Sequence, residues 1–279
     1  MTAHVSNSHH DNAPVVALHS SASTGQQWNG LVDHLAGRFD VSAPDLPGYG
    51  GAPRLSCASE SGVAAVAQPI IDHIAGYRRA VHLVGHSHGA GVALKIAMMR
   101  PELVKSLTVY EPATFHFLKT GDQEDRARYR EIASVRAAVA QGVAEGTPGT
   151  GMRMFIDFWN GAGSFDRFGD GTRSRFAAMA PVIVSDFAHG LAESWTLNDL
   201  KRIACPMLML MGMESPAVAQ HVAVRIVEAV GHARLAMLPG LGHMAPVFEP
   251  DWVNPRIFEH IAGVERPVAN CYWPQRSAA

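Results

Sequence analysis

The stretch Val81–Leu94, Val-His-Leu-Val-Gly-His-Ser-His-Gly-Ala-Gly-Val-Ala-Leu, constrains this chain more than any other. It reads as an apolar strand, a turn Gly85-His86-Ser87-His88-Gly89, and a small-residue helix running to Met99. The spacing is G-x-S-x-G. So sharp a passage from strand to helix leaves no room for side chains at 85 and 89. It predicts a strained Ser87 backbone with Oγ held out for reaction. The helix begins at the serine, so its unpaired N–H groups and positive dipole end face any anion formed there. An ordinary Gly-rich connection would satisfy the pattern alone, but the strand before it and the helix after it favour a presented nucleophile.

The surroundings repeat that alternation. Short apolar runs at Pro14–Leu18, Phe39–Ala43, Val81–Val84, Val104–Tyr110, Pro206–Met211 and Arg234–Leu238 read as strands. Helical patterns separate them at Gln26–Ala36, Ser61–Tyr77 (kinked at Pro69), Ala217–Val230 and Asp251–Ile261. Strands alternating with helices predict βαβ units and a parallel sheet. The pattern breaks from Ala113 to Trp195, where only helix candidates occur, at Arg126–Val143, Met152–Trp159 and Thr172–His189. That is too long for a simple connection and predicts an inserted helical cap. The expected domains are therefore a core of 1–112 and 196–279 and a cap of 113–195.

With 279 residues, 47% hydrophobic and 17% charged, the chain can build one large core plus a modest insertion. A formal net charge of −2 gives no reason to expect nucleic acid or an anionic membrane as a partner. The longest apolar run, around Met207–Met211, is far short of a membrane span, and the polar start Met1–Asn12 has no secretory pattern. Three cysteines, Cys57, Cys205 and Cys271, at unrelated spacings suggest reduced thiols in a cytoplasmic protein, with no zinc site. His4, His9 and His10 read as a polar tail, since no ligand partners sit nearby. A small-molecule substrate is the expected partner; a homodimer is compatible with the chain, whose oligomeric state is hidden.

The elbow, the strand–helix alternation and the loop Gly240-Leu241-Gly242-His243-Met244-Ala245-Pro246 together resemble the α/β-hydrolase superfamily, over about residues 14–263. The resemblance implies a roughly six-stranded parallel sheet flanked by helices. The superfamily's usual N-terminal hairpin is expected to be missing, because residues 1–13 are too few for it. It also implies a catalytic order of Ser, then Asp or Glu, then His. Ser87 is then the nucleophile and His243 its base. The acid has two candidates. Its usual position, in Gly212-Met213-Glu214-Ser215-Pro216, holds Ser215, which carries no charge; Glu111 ends an earlier strand, where some capped members keep their acid. Glu111 is preferred and Glu214 stays open.

The resemblance further implies an oxyanion hole from two backbone N–H donors, His88 and Ser21, with Ala22 the alternative to Ser21. His19-Ser20 stands where family members often carry His-Gly. The cap supplies the substrate wall, with Met152, Phe155 and Trp159 foremost, and few cations interrupt that segment. An uncharged, largely apolar carboxylic ester cleaved through an acyl-enzyme is the expected substrate, with no metal or organic cofactor. Serine at 87 also fits a C–C bond hydrolase, a lactonase or a perhydrolase. A receptor-like binder with a vestigial triad is the alternative from a different class, favoured only by Ser215.

Overall fold

The computed structural model describes residues 12–55 and 62–266. His4, His9, His10, Cys57 and Cys271 lie outside the described residues. The strands are β1 (Val15–Leu18), β2 (Val41–Ser42), β3 (Val81–His86), β4 (Val104–Tyr110), β5 (Met207–Gly212) and β6 (Arg234–Leu238). They form one six-stranded sheet in the order β2-β1-β3-β4-β5-β6, with every neighbouring pair parallel. The first strand among the described residues begins at Val15.

Strand periodicity sorts the core into two layers. Val16, Leu18, Leu83, Val109, Met209 and Met211 point to one face, where they meet α2 (Val63–Ala75), α3 (His88–Met99) and α8 (Ala217–Val230). Val15, Ala17, Val84, Tyr110, Leu208 and Leu210 point to the other, against α1 (Asn29–Leu35) and α10 (Pro250–Glu265). Covering both faces explains why these strands read as unbroken apolar runs. β2 is shorter than its apolar run predicts, because only Val41 and Ser42 pair with β1 at this sheet edge. The helix α2 runs unbroken through Pro69.

Between β4 and β5 lie α4 (Gln123–Ala144), α5 (Pro148–Asn160), α6 (Ser164–Arg167) and α7 (Asp170–Leu191). The start of α4 is set by a capping box: Asp122 accepts from the Asp125 N–H, and Asp125 accepts from the Asp122 N–H. Pro148 occupies the first turn of α5, where its missing N–H costs nothing. Ile132, Phe155 and Ile183 tie these helices into the same buried cluster as α3. The short α9 (Ala245–Phe248) follows β6 and leads into α10.

Candidate active site

Ser87 sits between β3 and α3 at φ 53° and ψ −114°, a conformation that costs a non-glycine residue on the order of 1–3 kcal/mol. Hydrogen bonds over-determine it. Its N–H donates to the Tyr110 carbonyl at 2.9 Å, and its own carbonyl accepts from the Gly91 and Ala113 N–H groups at 3.0 Å. The flanking glycines are required by contact: a Cβ at Gly85 would lie 2.7 Å from the Ala90 Cα, and one at Gly89 would lie 2.4 Å from the His19 carbonyl oxygen. The sequence predicts an exposed serine oxygen, yet Ser87 is only 7% accessible. It opens onto two cavities beneath the α5 side chains Phe155 and Trp159.

Glu111 leaves β4 at φ 44° and is buried. Its Oε1 accepts the Gly212 N–H at 2.7 Å, and its Oε2 lies 2.7 Å from His243 Nδ1. His243 Nε2 is in turn 3.0 Å from Ser87 Oγ. A carboxylate cannot donate, so Nδ1 carries the proton and Nε2 offers its lone pair to the serine hydroxyl. Such an arrangement can draw a proton off a serine and hold it. Glu214, left open by the sequence, is exposed, and its N–H is spent on the Leu241 carbonyl. Ser215 is buried, with no hydrogen-bond partner for its Oγ among the described residues.

His86 supports His243 from behind. Its Nε2 donates to the His243 carbonyl at 2.8 Å, and Gln27 Nε2 donates to its Nδ1 at 3.1 Å. Burial, and then the neighbouring His243, hold its pKa well below the ordinary value, so it stays neutral in that role. Tyr110 adds a second strut, its hydroxyl donating to the Gly242 carbonyl at 2.7 Å.

The loop after β1 approaches from the other side. The Ser20 N–H donates to Gln27 Oε1 at 3.0 Å, whereas no partner within the protein is seen among the described residues for the N–H of Ser21 or His88. Ser21 Oγ donates to Asp186 Oδ2 at 2.5 Å, and the Tyr49 hydroxyl donates to the same oxygen at 2.5 Å. Burial, then Asp186, push the Tyr49 hydroxyl well above its ordinary pKa, fixing it as a donor. Asp186 Oδ1 lies 3.5 Å from His88 Nε2. Asp186 and Tyr49 were not among the residues singled out from the sequence. The available signal was Asp186 itself, one charge in the buried α7 stripe Ala180, Ile183, Asp186, Phe187.

Residues 15–256 match the family described as "Alpha/beta hydrolase family". The chain belongs to that hydrolase family. Among curated relatives, the pimeloyl-[acyl-carrier protein] methyl ester esterase of Methylococcus capsulatus is 39% identical over 34% of this chain and 35% of that protein. Lipase LipV of Mycobacterium tuberculosis is 31% identical over 45% of this chain and 44% of that protein. The chain thus spans less than half the length of these relatives. A thermophilic esterase from Thermogutta terrifontis shares the fold at a TM-score of 0.70 and 21% identity, covering 92% of each chain. Among the described residues, no group of three or more His, Cys, Asp or Glu could hold a metal ion, and no helix is long and apolar enough to cross a membrane.

In this hydrolase α5 lies over the site. Phe155 and Trp159 border both cavities beside Ser87, and the Trp159 indole stacks on the His243 imidazole, with centroids 4.1 Å apart and planes at 29°. Met152, expected in the same wall, is fully buried and borders neither cavity. It lies a turn earlier on α5, where Gly151 lets the helix press onto α4: a Cβ there would sit 2.7 Å from Val139 Cα. Met152 belongs to the same buried cluster as Val135 and Val139 of α4.

Proposed function

We propose that this family member is a serine hydrolase that cleaves an uncharged, largely apolar carboxylic ester through an acyl-enzyme intermediate. The observation that carries the reading is the unbroken chain from Ser87 Oγ through His243, at 3.0 and 2.7 Å, to Glu111. In acylation His243 Nε2 takes the Ser87 proton while Oγ bonds to the ester carbonyl carbon. The carbonyl oxygen becomes an oxyanion, which accepts from the His88 and Ser21 N–H groups. On collapse the carbon–oxygen bond to the alcohol breaks, and His243 returns its proton to the departing oxygen. Water then repeats the sequence to free the acid. Glu111 keeps the proton on Nδ1 and balances the imidazolium. His86 and Tyr110 hold the loop that presents the base.

The aromatic walls support an apolar substrate, and esterase and lipase relatives support the ester bond. The receptor-like alternative rests on Ser215, and the Glu111–His243–Ser87 chain argues the other way. The test is labelling by a fluorophosphonate together with hydrolysis of p-nitrophenyl esters, using Ser87→Ala as the blank. Labelling and turnover that vanish together in the variant support the reading; a wild-type enzyme that neither labels nor turns over refutes it.

A further inference from the structure

The two cavities at Ser87 differ in size, lining and neighbours. One, of about 40 Å³, is bordered by His88, Ala113, Phe115, Asp186, Phe187 and Leu191. The other, of about 160 Å³, is bordered by His243, Met244, Val247, Phe248, Phe168 and Phe176. Only Ser21, Ser87, Phe155 and Trp159 border both. The serine therefore stands at the junction of a small arm and a large one, and His243 faces the large one alone.

From this division we infer which half of an ester each arm takes: the alcohol goes to the large apolar arm and a short acyl group to the small arm. The inference rests on the serine-hydrolase reading above. The leaving oxygen must lie within hydrogen-bond reach of the group that protonates it. That group is His243, so the alcohol extends along His243, Met244 and Phe248, which belong to the base's own loop and α9. Phe248 is 56% exposed at the rim, so a long alcohol can run out towards solvent and leave by the same route.

The acyl group, bonded to Ser87, is left with the small arm. One water occupies at least about 10–15 Å³ of such space. The arm's volume of about 40 Å³ against about 160 Å³ for the other suits a short tail such as acetyl or propanoyl better than an octanoyl chain. Its wall carries the Asp186 carboxylate, 91% buried by its 9% exposure. Oδ2 is saturated by two hydroxyl donors, while Oδ1 has only the distant His88 Nε2 at 3.5 Å. An acyl group ending in a second carboxylate meets that charge at short range and is rejected. The substrate class is thus a short, uncharged acyl ester of a bulky apolar alcohol, the reverse of a long-chain acid esterified to methanol.

The experiment crosses two series on the wild-type enzyme. 1-Naphthyl acetate, butanoate, hexanoate and octanoate vary the acid; methyl, butyl, octyl and benzyl acetate vary the alcohol. The expected result is a fall in kcat/KM of at least tenfold from acetate to octanoate, and a rise of at least tenfold from methyl to octyl acetate. Leu191→Ala, which enlarges the small arm at a side chain bordering that arm alone, is expected to raise octanoate relative to acetate at least tenfold. Turnover that favours long acids on small alcohols overturns the arm assignment alone and leaves the serine mechanism standing. Failure of every ester, with no fluorophosphonate labelling of Ser87, overturns both.

Discussion

Glu111→Gln is the sharpest perturbation of this site, because the change is nearly isosteric and its geometry is forced. Glu111 Oε1 accepts a backbone N–H from Gly212 at 2.7 Å. An amide NH2 turned to that side would set donor against donor, so the glutamine must keep its oxygen there. Its NH2 then faces His243 Nδ1, which has to become an acceptor. The imidazole proton moves to Nε2, which points it at Ser87 Oγ and removes the lone pair that should take the serine proton. Stranding this tautomer is expected to lower kcat by about 10³- to 10⁴-fold, or about 4–5.5 kcal/mol of barrier. KM should change little, since neither cavity is bordered by Glu111. Glu111→Asp keeps the charge but draws the carboxylate back by about one C–C bond, ~1.5 Å, so its rate should fall between the two. Glu214→Gln, on the surface, should cost less than about tenfold. Single-turnover kinetics on a p-nitrophenyl ester measures all three. A Glu111→Gln enzyme within tenfold of wild type refutes the argument, and a larger loss at Glu214 moves the acid there.

Ser87→Ala is expected to abolish ester hydrolysis while the protein stays folded, checked by initial rates and circular dichroism. Because residue 87 sits at φ 53°, Ser87→Gly should be about 1 kcal/mol more stable than Ser87→Ala in thermal denaturation; equal stability would remove the claim of strain there. Burial holds His19, His116 and His260 down from 6.5 to about 4, so the folded state resists their protonation. The stability they sustain is fully present above about pH 6.5 and is lost as pH falls towards 4; scanning calorimetry should show Tm declining over that interval, and a flat Tm to pH 4.5 contradicts it. Asp186→Asn loosens the loop bearing Ser21 and is expected to weaken binding of a boronate oxyanion mimic more than binding of a neutral ketone analogue. Activity is expected to survive exhaustive chelation, and a loss restored by one divalent metal would refute that.

The parallel sheet was legible because burial on both faces leaves unbroken apolar runs, and the sharp turn because a Cβ at Gly85 or Gly89 would meet backbone. What lay beyond the sequence depends on distances between segments far apart in it. Glu111 and Glu214 both follow strands, and only the sheet's assembly brings one within 2.7 Å of His243 and turns the other to solvent. Met152, Phe155 and Trp159 share one helical stripe, so spacing could not tell that the first is buried away from both cavities while the others reach them. The contraction of β2 follows from its edge position, which no local pattern in Phe39–Ala43 records. Asp186 was missed because an acidic residue in a helix is ordinarily solvated. Its partners, Ser21 and Tyr49, come from loops of the sheet layer.

The stacking of Trp159 on His243 bears on how such a protein could be remade. In the proposed reaction the imidazole takes up the serine proton, and a cation would then lie against the indole face, an attraction of about 0.5–2 kcal/mol. Through the barrier that is worth roughly two- to thirtyfold in rate. On that reading the helix that shapes both arms of the site also contributes to the proposed chemistry. Grafting a foreign segment between β4 and β5 to change substrate preference would exchange the walls and discard the indole together. A slow chimera would then report a missing ring, not a poor fit, and restoring a tryptophan over the base is the first repair to make.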